Sequence, residues 1–488
     1  MTEPRSDTPR HDVLILGAGM SGLCMAIALK RAGRHDFLIV DKAEGLGGTW
    51  WDNRYPGARV DVPAPLYSFS FAPHPRWRQR FAAAPEILDY QQDLARRHGL
   101  AAHLRLRCAV VSARFDDDIG RWHITLDSGE VVSARYFVCS TGPLSVPRWP
   151  DIEGLADFAG TRLHSARWDA SVPIAGRRVG IIGTGSTAAQ LVPELARDAA
   201  QLTVFQRTPN WVLPRFDRRY GALDRLLFHL PGWNRLVRTF WALTSESLRR
   251  GFETGSVAQQ RLLALARGHL KRQVRDEALR QRLQPPYAIG CKRIVFSNDY
   301  LRSFTQPQVS LETTAIERIT PAGVRTVDGR EHALELLVCA TGFDVQHALS
   351  VPITGRGGVL LQALWADGAQ AHLGTTVAGF PNLFLLLGPN TATGHTSTLL
   401  FIEPQVQFVL RALNTLERSG KAWLDVKAAA MQRFNAELQQ RLDGSVWAQC
   451  RSWYRADSGR NVAIWPGYTP EYLRRLRGVD FGRDFESG

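Results

Sequence analysis

Two glycine clusters carry the first chemical signal. Gly17-Ala-Gly19-Met-Ser-Gly22 follows the apolar run Val13-Leu-Ile-Leu16 and precedes a helical pattern from Leu23 to Arg31. Gly183-Thr-Gly185-Ser186-Thr187-Ala188 follows Arg178-Val-Gly-Ile-Ile182 in the same way, with alanine in the third small position. A strand, a glycine turn and a helix aim backbone N–H groups and the positive helix end at a diphosphate, so each cluster reads as a dinucleotide site. The residues that close the next strand tell the two apart. Asp41 stands 19 residues after Gly22, where a carboxylate accepts from ribose hydroxyls and repels a 2′-phosphate; Arg207 stands 19 residues after Ala188, where a guanidinium attracts one. The first site is therefore expected to take FAD or NAD, and the second NADP. Lysine is scarce in this chain, and Lys292-Arg293 places two cations together, one suited to the 2′-phosphate and one to reaction chemistry.

A second group of candidates lies on irregular chain. The stretch from Gly47 and Gly48 through Thr49, Trp50 and Tyr55-Pro56-Gly57 to Asp61 is too rich in Gly, Pro and Trp for a regular element and reads as a structured loop. Trp50, Asp61 and Tyr67 suit the enclosure of a planar ring system; a surface loop with packed aromatics is the plainer alternative. The loop after Gly388-Pro389-Asn390, running from Thr391 to Ser397, sits at a strand's carboxyl end and is a candidate pocket wall. His395 within it is an acid–base candidate or a hydrogen-bonded loop histidine. Trp453 either covers a nucleotide or packs.

The elements that must position these residues form a repeat. Each glycine cluster is followed by a small meander, and each meander closes in a buried strand ending in Thr-Gly: Thr141-Gly142 after Tyr136-Phe-Val-Cys-Ser, and Thr341-Gly342 after Leu336-Leu-Val-Cys-Ala. The expected fold class is α/β, with two Rossmann-type dinucleotide-binding domains. FAD-binding segments are expected at 1–145 and 343–488, and an NADP-binding domain at 146–342. Within the latter, 211–286 is rich in Leu, Arg and Trp at helical spacing and reads as a helical insertion. Its arginines are expected on a solvated face over an aromatic core, with a membrane-surface helix as the alternative. From Phe380 to Leu387 a buried strand is expected, then a long helix through Leu410, and after Tyr454 an irregular, turn-rich end.

Composition narrows the class. At 488 residues with 44% hydrophobic content the chain can bury a sizeable core. Basic residues exceed acidic ones by 14, but the arginines are spread along the chain, so no nucleic acid partner is expected. The six cysteines form no C-x-x-C pair and no metal-ligand cluster; they are read as reduced thiols, with no metal site. This also argues against a disulfide reductase. The polar start, Met1 to Arg10, has no apolar signal core, and no stretch is long enough to span a bilayer, so a cytoplasmic location without stable membrane insertion is expected.

Between the two sites lies Phe158-x-Gly160-x-x-x-His164-x-x-x-Trp168-Asp169, which alone would pass for an interdomain connection. Together with Gly48-x-Trp50 through Asp61, it resembles the fingerprint of the flavin-dependent Baeyer-Villiger monooxygenases that use FAD and NADPH, and the likeness runs nearly the full length. The resemblance implies oxygen insertion beside a ketone carbonyl to give an ester or lactone, through a C4a-peroxyflavin, from dioxygen and NADPH. It implies that Arg293 is the catalytic arginine with Asp61 beside it, that Lys292 and Arg207 hold the 2′-phosphate, that Trp453 contacts the nicotinamide nucleotide, and that Tyr67 lies near the flavin. Gly17, Gly19, Gly22, Asp41, Gly48, Thr49, Trp50, Thr141, Gly183, Gly185, Ser186, Thr187 and Asn390 complete the expected cofactor contacts. Phe158, Gly160, His164, Trp168 and Asp169 are expected at the hinge between the domains. A monomer or weak homo-oligomer acting on a small ketone is expected; N- or S-oxygenation and a non-catalytic NADPH-binding protein remain alternatives.

Overall fold

The computed structural model describes residues 8–230, 232–345 and 349–488; the first seven residues of the expected polar tail lie outside them. Two sheets dominate. The first holds eight strands, in the order 353–354, 110–116, 121–126, 131–139, 10–16, 37–40 and 104–105, with Leu383–Leu385 also paired to the strand Val131–Cys139. Around the first glycine turn the pairing is parallel, whereas Val110–Asp116, Arg121–Leu126 and Val131–Cys139 form an antiparallel meander. The second sheet is wholly parallel, in the order 309–312, 201–205, 178–182, 336–339 and 161–164. Strands such as Phe37–Val40 and Leu336–Cys339 are apolar at every position because helices or loops cover both faces of a parallel sheet.

The chain crosses between the sheets twice. It leaves the first after Cys139 and enters the second at Thr161; it leaves the second after Cys339 and returns at Ile353. The long helix Leu399–Ser419 then packs on the helix Met20–Arg31 of the first glycine turn.

Three expectations need correction. The end of the chain is not irregular: Thr469–Arg477 is a helix with Pro470 in its first turn, and Phe485–Ser487 pairs with Leu424–Val426. The strand expected over Phe380 to Leu387 is shortened to Leu383–Leu385, flanked by Asn382 and Leu387, both with positive φ. And the cysteines are not all thiols. Cys291 and Cys450 form a disulfide that ties the segment before Arg293 to the C-terminal chain, across 159 residues of sequence. Cys24, Cys108, Cys139 and Cys339 remain free, their thiols pushed up by burial.

Candidate functional site

The glycine turns are cradles for a backbone-bound anion. Gly17 (φ +108°) leaves no room for a side chain: a Cβ there would lie 2.7 Å from the Ser140 carbonyl oxygen. Gly183 (φ +125°) is held the same way, 2.3 Å from the Ala340 oxygen. The helices that follow, Met20–Arg31 and Ser186–Asp198, begin at Gly19 and Gly185 with no side-chain cap, so their first N–H groups face outward for a ligand. Gly48 closes against the first turn, where its Cβ would come 2.9 Å from the Gly19 Cα. Thr49 and Trp50 follow in a short helix. The Asp41 carboxylate accepts from the backbone N–H groups of Ala18 and Ala43, which fixes it beside the first glycine turn. Thr141 stands at the start of the first crossing, two residues after the strand Val131–Cys139, and is partly exposed.

In the second unit, Arg207 is exposed and Lys292 lies near enough for the two charges to interact. Burial, with that like charge, holds the Lys292 ammonium below its ordinary value. Lys292 also sits 4.8 Å from the Tyr287 ring centroid. Among the described residues no carboxylate pairs with either cation, the electrostatic state of a site that binds an anion.

The Trp50 to Asp61 loop reaches across both sheets. Tyr55 Oη donates to Gln190 Oε1 (2.9 Å) and Gln190 Nε2 donates to the Arg59 carbonyl (3.1 Å), so the loop docks on the helix Ser186–Asp198. Arg167, inside the fingerprint, pairs with Asp52 at 3.3 Å. At the loop's end, Asp61 Oδ2 accepts from Arg293 Nε (2.9 Å) and Nη2 (2.5 Å). Residues 232 apart in sequence thus form the central pair. The remaining guanidinium nitrogen, Nη1, donates to the Thr393 carbonyl at 3.4 Å. The Asp61 charge raises the Arg293 pKa despite burial, so the guanidinium is permanently charged. It keeps 36% of its side-chain surface accessible, so a reactant is not sealed from it.

Aromatic groups surround this pair. Trp50 Nε1 donates to Tyr67 Oη (3.1 Å), and burial lifts the Tyr67 phenol to about 12. Tyr454 is buried within electrostatic reach of Arg293 and Asp61, its phenol likewise raised to about 12 by burial. Trp453 points outward instead, 40% exposed and stacked obliquely on Tyr454. Asn390 Nδ2 donates to the Asn461 and Ile464 carbonyls and holds the pocket loop to the C-terminal chain. His395 Nδ1 lies 3.0 Å from Thr393 Oγ1, and its Nε2 lies 3.5 Å from Glu246 of the helical insertion. Burial alone would raise the Glu246 carboxyl; contacts with His395 and Thr469 bring it below its ordinary value.

The fingerprint sits where the two crossings meet. His164 ends the edge strand Thr161–His164; its Nδ1 accepts from the Ala166 N–H (3.1 Å), which leaves Nε2–H to donate to the Arg148 carbonyl (3.4 Å). Thr341 Oγ1 donates to that same carbonyl, and Arg148 N–H donates to the Gly342 carbonyl. Burial lowers the His164 pKa, so the ring is neutral and both crossings are pinned on one residue. Phe158 is buried against Gly160, where a Cβ would meet its ring at 2.6 Å. Trp168 packs at the core's margin, and Asp169 is exposed, accepting from Ser171 N–H and Oγ–H.

Comparison with known proteins agrees with this geometry. A family model described as pyridine nucleotide-disulphide oxidoreductase matches residues 14–220. That match covers dinucleotide-binding framework; the chain has no C-x-x-C. A Baeyer-Villiger monooxygenase of Streptomyces coelicolor is 39% identical over 483 residues, covering 96% of this chain and 91% of that protein. Another from Pseudomonas aeruginosa is 38% identical over 485 residues, covering 98% and 92%. The chain belongs to the Baeyer-Villiger monooxygenase family. Its fold matches a closed crystal structure of cyclohexanone monooxygenase with TM-score 0.89 and 29% identity, over 99% of each chain. It also matches an oxidized steroid monooxygenase bound to NADP with TM-score 0.86 and 30% identity, over 98% of this chain and 99% of that one. It is an FAD-containing, NADPH-dependent enzyme of the ketone-oxidising type.

Sequence reasoning missed Gln190, Tyr454 and Glu246. Gln190 has no local signal, being one polar position on a helix. Tyr454 stands beside the more conspicuous Trp453, and nothing in the dipeptide says which of the two turns inward.

Proposed function

We propose that Arg293 and Asp61 are the reactive pair of this monooxygenase, acting on a small-molecule ketone. The observation that supports the reading is the fixed, charged guanidinium of Arg293, held on one side by Asp61 and on the other by the Thr393 carbonyl of the pocket loop. When bound, FAD and NADPH supply hydride transfer and the activation of dioxygen. The chain's own part is to stabilise negative charge as it develops on oxygen next to Arg293. A guanidinium does this without exchanging its proton, and a preorganised donor needs no reorganisation at that moment. Asp61 sets the direction of the guanidinium. Gly17, Gly19 and Gly22 with Asp41 would hold the flavin nucleotide; Gly183, Gly185, Ser186 and Thr187 with Arg207 and Lys292 would hold NADPH. Trp50, Tyr67 and Tyr454 exclude water from the reacting centre. His164, hydrogen-bonded to the first crossing at the point where the second meets it, positions the two domains and moves no proton.

We place the enzyme in the cytoplasm, as a monomer or weak homo-oligomer. The test of function is a panel of linear, cyclic and aromatic ketones supplied with NADPH, FAD and oxygen, scored by mass for insertion of one oxygen atom. Ketones returned unchanged beside an oxidised sulfide or amine would overturn the reading.

A further inference from the structure

The helical insertion presents to solvent the face that a soluble helix normally buries. On the helix Trp233–Leu248 the residues at i, i+4 and i+7, Leu236, Phe240 and Leu243, point outward; on the helix Ala222–Phe228, Leu223 and Leu226 do the same. These five side chains are each 58–68% exposed. The opposite stripe of the longer helix is mixed: Trp233 and Val237 pack on the core beside polar residues that also turn inward. Arg238 turns inward to donate to the Leu66 and Ser68 carbonyls and to pair with Glu403 at 3.0 Å, and Ser245 is buried. Single exposed leucines are ordinary; a stripe at helical period continued on a neighbouring helix is not.

Charge on the same segment is one-sided. Residues 211–286 contain fifteen Lys and Arg against six Asp and Glu, nine of the chain's fourteen net positive charges. Arg219, Arg225 and Arg235 are exposed around the apolar stripe and make no ion pair among the described residues. Beside it, a cleft of about 440 Å³ between the helices Trp233–Leu248 and Val257–Gln273 is lined by Leu248, Val257, Leu262 and Leu265 with Arg250 and Arg261. Arg293 and Asp61 do not line this cleft, so it is separate from the reactive pair.

We propose that this face binds the surface of an anionic lipid bilayer. An exposed apolar stripe rimmed by arginines is the arrangement of a helix lying in the headgroup region, where the apolar side chains enter the acyl boundary and the guanidinium groups meet phosphates. A second copy of the chain is the poorer occupant, because an isologous contact would bring the same unpaired arginines against one another. The binding is peripheral: among the described residues no helix is long and apolar enough to cross a membrane. The face is also joined to the reactive site, since Glu246, on the side of this helix, contacts His395 of the pocket loop. The inference rests on the surface alone and stands whatever the substrate.

The test uses the full-length, FAD-loaded enzyme and sedimentation with vesicles of phosphatidylcholine containing phosphatidylglycerol, or of phosphatidylcholine alone. The enzyme is expected to sediment with the anionic vesicles and to be released by salt. With each basic residue worth about five-fold near an anionic surface, R219Q/R225Q/R235Q is expected to bind about a hundred-fold more weakly. L236S/F240S/L243S should also lose binding. Both variants should keep the flavin spectrum and the rate on a water-soluble ketone, which separates lost binding from misfolding. Enzyme left in the supernatant with anionic vesicles would overturn the proposal, as would equal binding to neutral vesicles or binding that survives both triple variants. Absence of vesicle binding, with a wild-type dimer that L236S/F240S/L243S turns into a monomer, would assign the face to a second copy and equally overturn it.

Discussion

Replacing Arg293 by alanine should separate oxygen transfer from the rest of the cycle. The side chain makes three donations, two to Asp61 and one to the Thr393 carbonyl, and its accessible surface is the only part left for a reactant. None of these contacts involves a glycine turn or the Arg207–Lys292 pair, so flavin loading and flavin reduction by NADPH should be largely retained. The loss is one fixed positive donor where negative charge develops, which costs roughly 10²–10³ in rate, or about 3–4 kcal/mol. Arg293→Lys keeps the charge but not the fork: a single ammonium cannot hold Asp61 and also reach the reactant as the planar guanidinium does. It should fall between alanine and wild type. Asp61→Ala keeps the donor but frees its direction and should be nearer to Arg293→Lys. Anaerobic stopped-flow measures flavin reduction; ester formed and hydrogen peroxide released per NADPH measure the oxygen-dependent steps. The expected pattern is normal reduction, little ester and more peroxide. Ester formation at the wild-type rate in Arg293→Ala would remove Arg293 from the chemistry, and reduction failing in parallel would make it a cofactor-binding residue instead.

Other parts of the molecule give three further expected outcomes. Arg207→Ala should raise the KM for NADPH roughly ten- to a hundred-fold, the worth of one charge-assisted hydrogen bond of about 1.5–3 kcal/mol, and leave NADH unaffected; equal losses with both coenzymes would refute the 2′-phosphate assignment. Reducing the Cys291–Cys450 disulfide, or Cys450→Ser, should lower stability by about 2–4 kcal/mol and loosen the segment that carries Arg293; wild-type unfolding curves that coincide with and without dithiothreitol would show that the tie contributes nothing. Burial drops His372 to about 4, against the opposing pull of the Asp484 carboxylate. The unfolded chain therefore takes up this proton first, from about pH 6.5 downward. Its contribution to stability is complete above that pH and is lost as pH falls to about 4, a change of roughly 3 kcal/mol; denaturant titrations should show His372→Leu losing about one proton of that slope, and an unchanged slope would contradict the burial argument.

The sequence made legible whatever chemistry ties to local spacing. The glycine turns, the strands before them, and the exchange of Asp41 for Arg207 at the same offset are all readable within about 25 residues, because a strand–turn–helix unit is that short. Pairings across long separations were not. Cys291 and Cys450 carry no spacing rule, and their bond depends on the C-terminal chain folding back beside the insertion. Gln190 serves the Tyr55 loop only because the second glycine helix lies under it. The order of Trp453 and Tyr454 shows the same limit: both are aromatic and adjacent, and only the turn of the chain decides which is buried near Arg293.

Most arginines of the helical insertion are exposed, as expected, but on one of its helices periodicity alone does not tell which stripe faces inward. The pattern from Trp233 to Leu248 gives two stripes, one of Leu236, Phe240 and Leu243 and one containing Arg238, Trp241 and Ser245. A period of 3.6 identifies stripes but not which one faces inward; the usual inference assigns the apolar stripe to the core on the assumption that burying a charge is costly. Here that cost is offset locally. Arg238 finds backbone carbonyls left by the turn at Ala64–Tyr67 and the carboxylate of Glu403, and Arg80 stacks over Trp241 at 5.1 Å. With Arg238 satisfied inside and Trp233 and Val237 packed on the core, the Leu236 stripe is left outside, and the direction of the helix follows from partners far away in the sequence. Replacing Arg238 by methionine would remove a donor from those carbonyls and take from Glu403 the cation that now pairs with it. The outward direction of the Leu236, Phe240 and Leu243 stripe thus goes with a specific, largely buried ion pair between Arg238 and Glu403.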